Sequence, residues 1–273
     1  MERFRARRSL GQSFLSSKQV ADDIVASLDP GQADTVLEVG PGKGVLTARL
    51  LARACRVIAV ELDPRLVRHL AERFSGQPGL DLVEQDFLEY DLGRHRGLKV
   101  IGNLPYNISS QVLFRLLDSL PAWDRAVLTT QREFATRVLA APGSKSYAAL
   151  TVFFERLCTR EKLFNIAARD FKPHPAVVST AFRLERRDRP LFPVDDEGRF
   201  RRVVKAAFAQ RRKTIANNLT AALGFSKDRC RAVLASCGVP ERTRAEMLSP
   251  ADFDRLYRAV RSAGWPDSAA AQA

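Results

Sequence analysis

The stretch TVLEVGPGKGVLT, residues 35–47, decides the fold. Thr35 to Val39 reads as a buried strand. Gly40, Gly42 and Gly44 follow it directly, and a helix then runs to about Arg53. Glycines let a backbone pass close to a ligand and accept positive φ. A strand feeding a helix through such a turn is the opening of a β–α–β unit. The spacing is not G-x-G-x-x-G, which disfavours a nicotinamide dinucleotide. Taken alone, the turn is as often a plain tight turn as a binding loop.

The same alternation extends outward. Before the turn, residues 17–28 carry Val20, Ile24, Val25 and Leu28 on one helical stripe. After it come strands at 56–60, 80–84, 99–102 and 126–130. A helix starts at Pro64, where proline suits the first turn, and another spans 109–119. Strands alternating with helices imply an α/β fold with a parallel sheet and right-handed crossovers. The texture changes at Glu185-Arg186-Arg187-Asp188-Arg189-Pro190, a charged linker. Helices are predicted beyond it at 196–209, 211–222, 227–236 and 250–262, the last opened by Ser249-Pro250. The predicted domains are therefore 1–188, with a basic arm at Arg3, Arg5, Arg7 and Arg8, then 189–265, all helical, then a disordered tail over 266–273.

Across 273 residues, 44 Lys and Arg face 31 Asp and Glu, a net charge of +13. Such an excess suits a polyanion, and nucleic acid is the favoured partner over mere solubility. The four cysteines, Cys55, Cys158, Cys230 and Cys237, form no C-x-x-C pair, and His69, His95 and His174 make no ligand spacing with them. Reduced thiols, no metal and a cytoplasmic location are predicted. No membrane is expected either: no apolar run approaches a membrane span, and residues 1–8 lack the apolar core of a secretory signal.

Three strand ends carry candidate chemistry. Glu61 follows Gly40 by 21 residues, at the end of the next strand, where a carboxylate can accept hydrogen bonds from a ribose diol. Asp86 follows the third strand beside Phe87 and can accept from an adenine amino group. Asn103-Leu104-Pro105-Tyr106 follows the fourth. An adenine amino nitrogen is a poor nucleophile because its lone pair is delocalised into the ring. The Asn103 side-chain oxygen and the Leu104 carbonyl can accept its N–H bonds and stabilise the charge that develops on alkylation. Pro105 stiffens the turn, and Tyr106 can stack on an extruded base. Phe171, in the loop Phe171-Lys172-Pro173-His174-Pro175, is a candidate for the other face of the base; a core phenylalanine explains it equally well.

These pieces, with GQSFL (11–15), VELD (60–63), GNLPYNISS (102–110), QRE (131–133), SKSY (144–147), FKPHPAVVS (171–179), QRRKT (210–214) and RAE (244–246), run in order over nearly the whole chain. Together they resemble the small-subunit ribosomal RNA adenine dimethyltransferases. The resemblance implies a Rossmann-like class I methyltransferase sheet of seven mostly parallel strands with an antiparallel edge strand near 179–184. It also implies a small C-terminal helical domain that binds RNA through a helix opened by QRRKT. It implies S-adenosylmethionine as methyl donor and dimethylation at N6 of two adjacent adenosines near the 3′ end of small-subunit ribosomal RNA, by a monomer acting on the pre-small-subunit particle. The implied cofactor contacts are Ser13, Leu15, Gly40, Glu61, Asp86 and Asn103; the implied base pocket is Asn103, Leu104, Tyr106 and Phe171. Ser13 stands where the family commonly has asparagine, so either its backbone or its shorter side chain makes that contact. Three other readings share features: the erythromycin-resistance methyltransferases of large-subunit RNA, a DNA adenine methyltransferase, and a non-catalytic assembly or transcription factor. QRRKT and RAE favour the small-subunit class, and intact Asn103–Tyr106 with Glu61 argues for catalysis.

Overall fold

The computed structural model describes residues 13–53 and 56–265. The basic arm, Gly11, Gln12, Cys55 and the tail from 266 lie outside the described residues. The chain divides into two compact units: one takes residues up to Ala135 together with Thr159–Arg186, the other takes Thr136–Cys158 together with Arg187 onward. The chain crosses between them at 135/136, 158/159 and 186/187, and the boundary expected from sequence is 188/189. The second unit also takes in residues 136–158.

In chain order the first unit contains β1 (Phe14–Leu15), α1 (Lys18–Leu28), β2 (Thr35–Val39), α2 (Val45–Leu51), β3 (Arg56–Glu61), α3 (Pro64–Arg73), β4 (Leu80–Glu84), β5 (Leu98–Asn103), α4 (Ser109–Asp118) and β6 (Trp123–Gln131). The helix α5 (Arg132–Leu139) runs out of it and α6 (Ala149–Leu157) belongs to the second unit. The chain returns through β7 (Cys158–Ile166), β8 (Phe171–Lys172) and β9 (Ser179–Arg186). Seven strands form one sheet in the order β4-β3-β2-β5-β6-β9-β7. β2 pairs in parallel with β3 and β5, β3 with β4, and β5 with β6, while β9 runs antiparallel to β6.

The antiparallel strand β9, expected near 179–184 at the sheet edge, is not the edge, because β7 lies outside it. Its sequence, CTREKLFNI, is half charged or polar and shows no clean alternation, which suits an exposed edge and hides it from periodicity.

One face of the sheet is sealed by α1, whose Ile24, Val25 and Leu28 are fully buried with Leu46 and Leu50 of α2 and Val36, Val57 and Ile101 of the strands. Ser17 caps α1 by accepting from the Val20 N–H at 3.4 Å. Asp63 caps α3 by accepting from the Arg65 N–H and Pro64 occupies its first turn, so this acid is structural.

Gly44 opens α2 at φ 74°, and a Cβ built there would lie 2.6 Å from Phe74 and 2.7 Å from Leu70. Only glycine allows α3 and its following residue to approach the turn so closely. Gly44→Ala is expected to destabilise the protein by about 3 kcal/mol, combining left-handed backbone strain with overpacking. Urea denaturation checks this; a change under about 0.5 kcal/mol would show that the approach is not tight.

The second unit has α7 (Glu197–Ala207), α8 (Ile215–Leu223), α9 (Lys227–Ser236) and α10 (Pro250–Ser262). Phe200 of α7 sits edge-on to Phe153, Phe192 and Tyr257 in its core. Arg156 is buried beneath Phe192 and Phe200, pairing with Glu197 and donating to the Phe192 carbonyl at 3.3 Å. The helix predicted from 211 begins instead at Ile215. Thr214 accepts from the Asn217 N–H, which sets the cap there and leaves Arg211, Arg212 and Lys213 in exposed turns before it. No helix among the described residues is long and apolar enough to cross a membrane.

Candidate active site

In an open parallel sheet the loops at the carboxyl ends of neighbouring strands converge, because every crossover returns the chain to the opposite edge. Here the ends of β2, β3, β4 and β5 line one cleft. Gly40 and Gly42 come from the first, Glu61 and Leu62 from the second, Gln85, Asp86 and Phe87 from the third, and Asn103 to Ile108 from the fourth. Ser13 and Phe14 cover it.

Glu61 is only 7% exposed. One carboxylate oxygen accepts from the Gly42 N–H at 3.0 Å and the other from the Asp63 N–H at 2.9 Å. These bonds tie the end of β3 to the glycine turn. A carboxylate has about four acceptor positions, so these bonds leave room for a hydroxyl group. Burial pushes the Glu61 carboxyl above its ordinary range, and the backbone N–H groups of Asp63, Gly42 and Leu62 work against that rise. Asp86 is half-buried; its Oδ1 accepts from the Leu88 N–H at 2.9 Å and closes the turn after β4. Gly40 has φ 64°, and a Cβ added there meets nothing within 4 Å, so the turn stands back from open space.

Asn103 has a divided amide. Its Nδ2 donates to the Ser13 carbonyl at 3.0 Å, while its Oδ1 is buried with no hydrogen-bond partner. A buried acceptor without a partner costs roughly 1–3 kcal/mol. The donor half is held, which fixes the orientation of the amide and leaves its oxygen as an acceptor. The Leu104 N–H donates to the Thr129 carbonyl at 3.0 Å, and the Pro105 carbonyl accepts from Ile108 and Ser109, so the turn is rigid. The Tyr106 hydroxyl lies 2.7 Å from Ser179 Oγ, and burial raises the phenol above its ordinary range against that bond.

The structure thus brings together Ser13, Gly40, Glu61, Asp86, Asn103, Leu104 and Tyr106. Ser13 presents its carbonyl to Asn103, and its hydroxyl donates to the Pro173 carbonyl at 2.9 Å. Leu15 is 6% exposed and borders a smaller recess with Glu38, Gly40 and Asn103. Phe171 departs from expectation. It is fully buried in the core with Leu15, Ala21 and Ile24, and its strand β8 pairs antiparallel with β1. Its ring supports the cover over the cleft rather than lining it. An aromatic residue beside a proline-rich loop reads the same in sequence whichever way it points.

Three contributors were not singled out by sequence. Phe14 walls the cleft, with the Lys43 ammonium 5.1 Å from its ring centroid. Ser179 is identifiable only through its contact with Tyr106. Glu38 had a visible signal, as the one charge inside the buried strand TVLEV. It is 1% exposed, accepts from Thr47 Oγ1 at 2.6 Å, and its carboxyl is raised to about 7, chiefly by burial and also by the charge of Glu61, with Thr47 opposing. Between about pH 4.5 and 7 the folded state therefore keeps a proton that the unfolded chain has lost. Stability falls as pH rises through that window, by about 3 kcal/mol from this group. Glu38→Gln is expected to lose less stability between pH 5 and pH 8 than the parent in chemical denaturation. An equal loss in both proteins would remove Glu38 as the source.

Similarity to known proteins runs along nearly the whole chain. Residues 3–261 match the family described as ribosomal RNA adenine dimethylase. The chain is 44% identical to ribosomal RNA small subunit methyltransferase A of Geobacter sulfurreducens, covering 95% of this chain and 97% of that protein. It is 40% identical to the protein of that name from Desulfitobacterium hafniense, covering 94% and 92%. Among solved structures it resembles a dimethyladenosine transferase from Plasmodium falciparum, with a TM-score of 0.82 at 26% identity over 92% of this chain and 98% of that one. The 23S rRNA methyltransferase ErmE follows the same fold with a TM-score of 0.72 at 30% identity over 91% and 99%. The family match spans 259 consecutive positions, 3 to 261, and takes in both the strands that line the cleft and the C-terminal helices, so the chain belongs to the ribosomal RNA adenine dimethylase family.

Proposed function

We propose that this protein transfers methyl groups from S-adenosylmethionine to the N6 amino groups of two adjacent adenosines near the 3′ end of small-subunit ribosomal RNA. The family is one of S-adenosylmethionine-dependent rRNA adenine methyltransferases, and its relatives here carry the small-subunit name. The observation that carries the reading to the reacting atoms is the buried, unpartnered Asn103 Oδ1 at the floor of the cleft.

The residues present suit the cofactor. The Gly40 turn leaves room for a ligand, Glu61 keeps acceptor positions for a ribose diol, and Asp86 with Phe87 suits an adenine ring. When bound, the cofactor supplies an electrophilic methyl group. The work of the chain is on the base. Asn103 Oδ1 and the Leu104 carbonyl accept the N–H bonds of the amine, which turns the nitrogen lone pair out of conjugation and offsets the charge it gains. Tyr106 stacks on the extruded ring, held in place by Ser179. The product nitrogen is acidic enough to lose its proton to water, so no buried base is needed. Ser13 serves through its backbone, since its carbonyl holds the Asn103 amide. The helical residues 189–265 dock RNA through the exposed turn at Arg211–Lys213, and the protein acts as a cytoplasmic monomer on the precursor particle.

The test is methyl transfer itself. The protein is incubated with labelled S-adenosylmethionine and under-methylated small subunits, large subunits or duplex DNA, and the modified bases are mapped. Label confined to two adjacent adenosines of the small-subunit RNA is the expected outcome. Label in large-subunit RNA or DNA would reassign the substrate, and no transfer to any of them would leave a binding role.

A further inference from the structure

A second concavity lies beside the cleft, in the same unit, and the site described above does not use it. It runs between the segment Phe14–Ser16, the glycine turn and the outer face of α3. Five permanent cations line it, Lys43, Arg65, Arg68, Arg73 and Lys172, against one carboxylate, Glu72. Arg65 is paired with the buried Asp63 at 2.6 Å, but the remaining four still outnumber Glu72. Arg68, Arg73 and Lys172 are exposed. Arg73 donates to the Lys43 carbonyl, which fastens α3 to the turn and holds two of the cations close together. His69, between them, is held below its ordinary range by burial first and then by Arg73 and Lys43, with Glu72 acting the other way. A positive field is the electrostatic cause of the latter part of that shift.

Phe14 lines both this groove and the cleft, so the two adjoin at one side chain. An adenosine turned into the cleft carries a phosphate on each side of its ribose. Phosphates leaving that position on the Phe14 side enter the basic groove. Like charges crowded on an open surface repel one another and are most simply explained by an anionic partner that relieves them. We propose that this groove holds the phosphodiester backbone of the RNA strand flanking the target adenosine, with Lys43, Arg68, Arg73 and Lys172 as its phosphate contacts. The inference rests on the proposed RNA substrate, and it assigns the catalytic unit its own RNA-docking surface, separate from the helical region. Phosphate contacts here set the register that delivers one adenine to Asn103.

The test uses the full chain and a fluorescein-labelled 20-nucleotide uridine RNA, with affinity measured across a salt series. Arg68→Glu with Lys172→Glu is expected to weaken binding about tenfold at 0.1 M salt and to lower the salt slope by about 1.4, two single-strand phosphate contacts. Calorimetry with S-adenosylmethionine is expected to be unchanged, since neither side chain lines the cleft. If the charge-reversed protein also loses cofactor binding, the neutral pair Arg68→Gln with Lys172→Gln replaces it, with the same slope change expected. Wild-type RNA affinity and slope in a variant that binds cofactor normally would overturn the proposal. That outcome is distinct from failure of the substrate reading. A wild-type protein that binds the oligonucleotide through the groove yet methylates no small-subunit adenosine would overturn the substrate and leave the groove standing.

Discussion

Asn103→Ala is expected to cut the rate of methyl transfer at saturating cofactor by about 10²-fold or more, the loss associated with removing one preorganised polar group from a transition state. The size follows from the state of the side chain. Its Oδ1 is already stripped of water and has no partner, so the cost of organising it was met during folding, and the reacting amine receives the benefit. The same fact predicts the effect on stability. Removing an unsatisfied buried acceptor relieves about 1–3 kcal/mol, while losing the bond from Nδ2 to Ser13 costs about 1 kcal/mol, so thermal stability should not fall. A large fall in rate without a fall in melting temperature separates this role from a structural one. The Ser13 carbonyl is released as well, so cofactor affinity should be measured alongside. A rate within about threefold of the parent would dismiss Asn103 as the acceptor.

Glu61→Ala is expected to weaken S-adenosylmethionine binding by about 2 kcal/mol, close to thirtyfold in affinity, through loss of charge-assisted bonds to the ribose. The structure adds a second contribution of the same sign. The Gly42 and Asp63 N–H groups lose their acceptor, so the turn that cradles the ligand is loosened too. Because burial raises the Glu61 carboxyl, ionisation should strengthen binding, and affinity should rise with pH through that titration in the parent and not in the variant. Calorimetry in a folded variant checks both. Unchanged affinity would show that the ribose is held elsewhere.

The parallel sheet was legible because TVLEV, RVIAV and LDLVE are short apolar runs separated by glycine or by helices with proline at their first turn. The candidate site was legible because one chemistry-bearing residue follows each of three strands, and a parallel sheet gathers those ends at one edge. Less was visible in β7, whose charged residues break alternation, and at the start of α8, where Thr214 outcompetes the preceding Arg-Arg-Lys as a boundary because its hydroxyl caps a free N–H.

Sequence by itself determined the fold class, the cleft-forming order of Gly40, Glu61, Asp86 and Asn103, and the family. All of these depend on local pattern and on motifs read in chain order. Only the tertiary structure decided which way side chains point and what they meet across long separations. It put Phe171 into the core 156 positions from Leu15, the residue its strand pairs with, and joined Tyr106 to Ser179. It also left Asn103 Oδ1 without a partner and drew Lys43, Arg68 and Lys172 around one groove. The physical reason is that burial and charge density are properties of neighbours in space. A phenylalanine, an asparagine or an arginine has the same local signature in a core, in a cleft or on an open face.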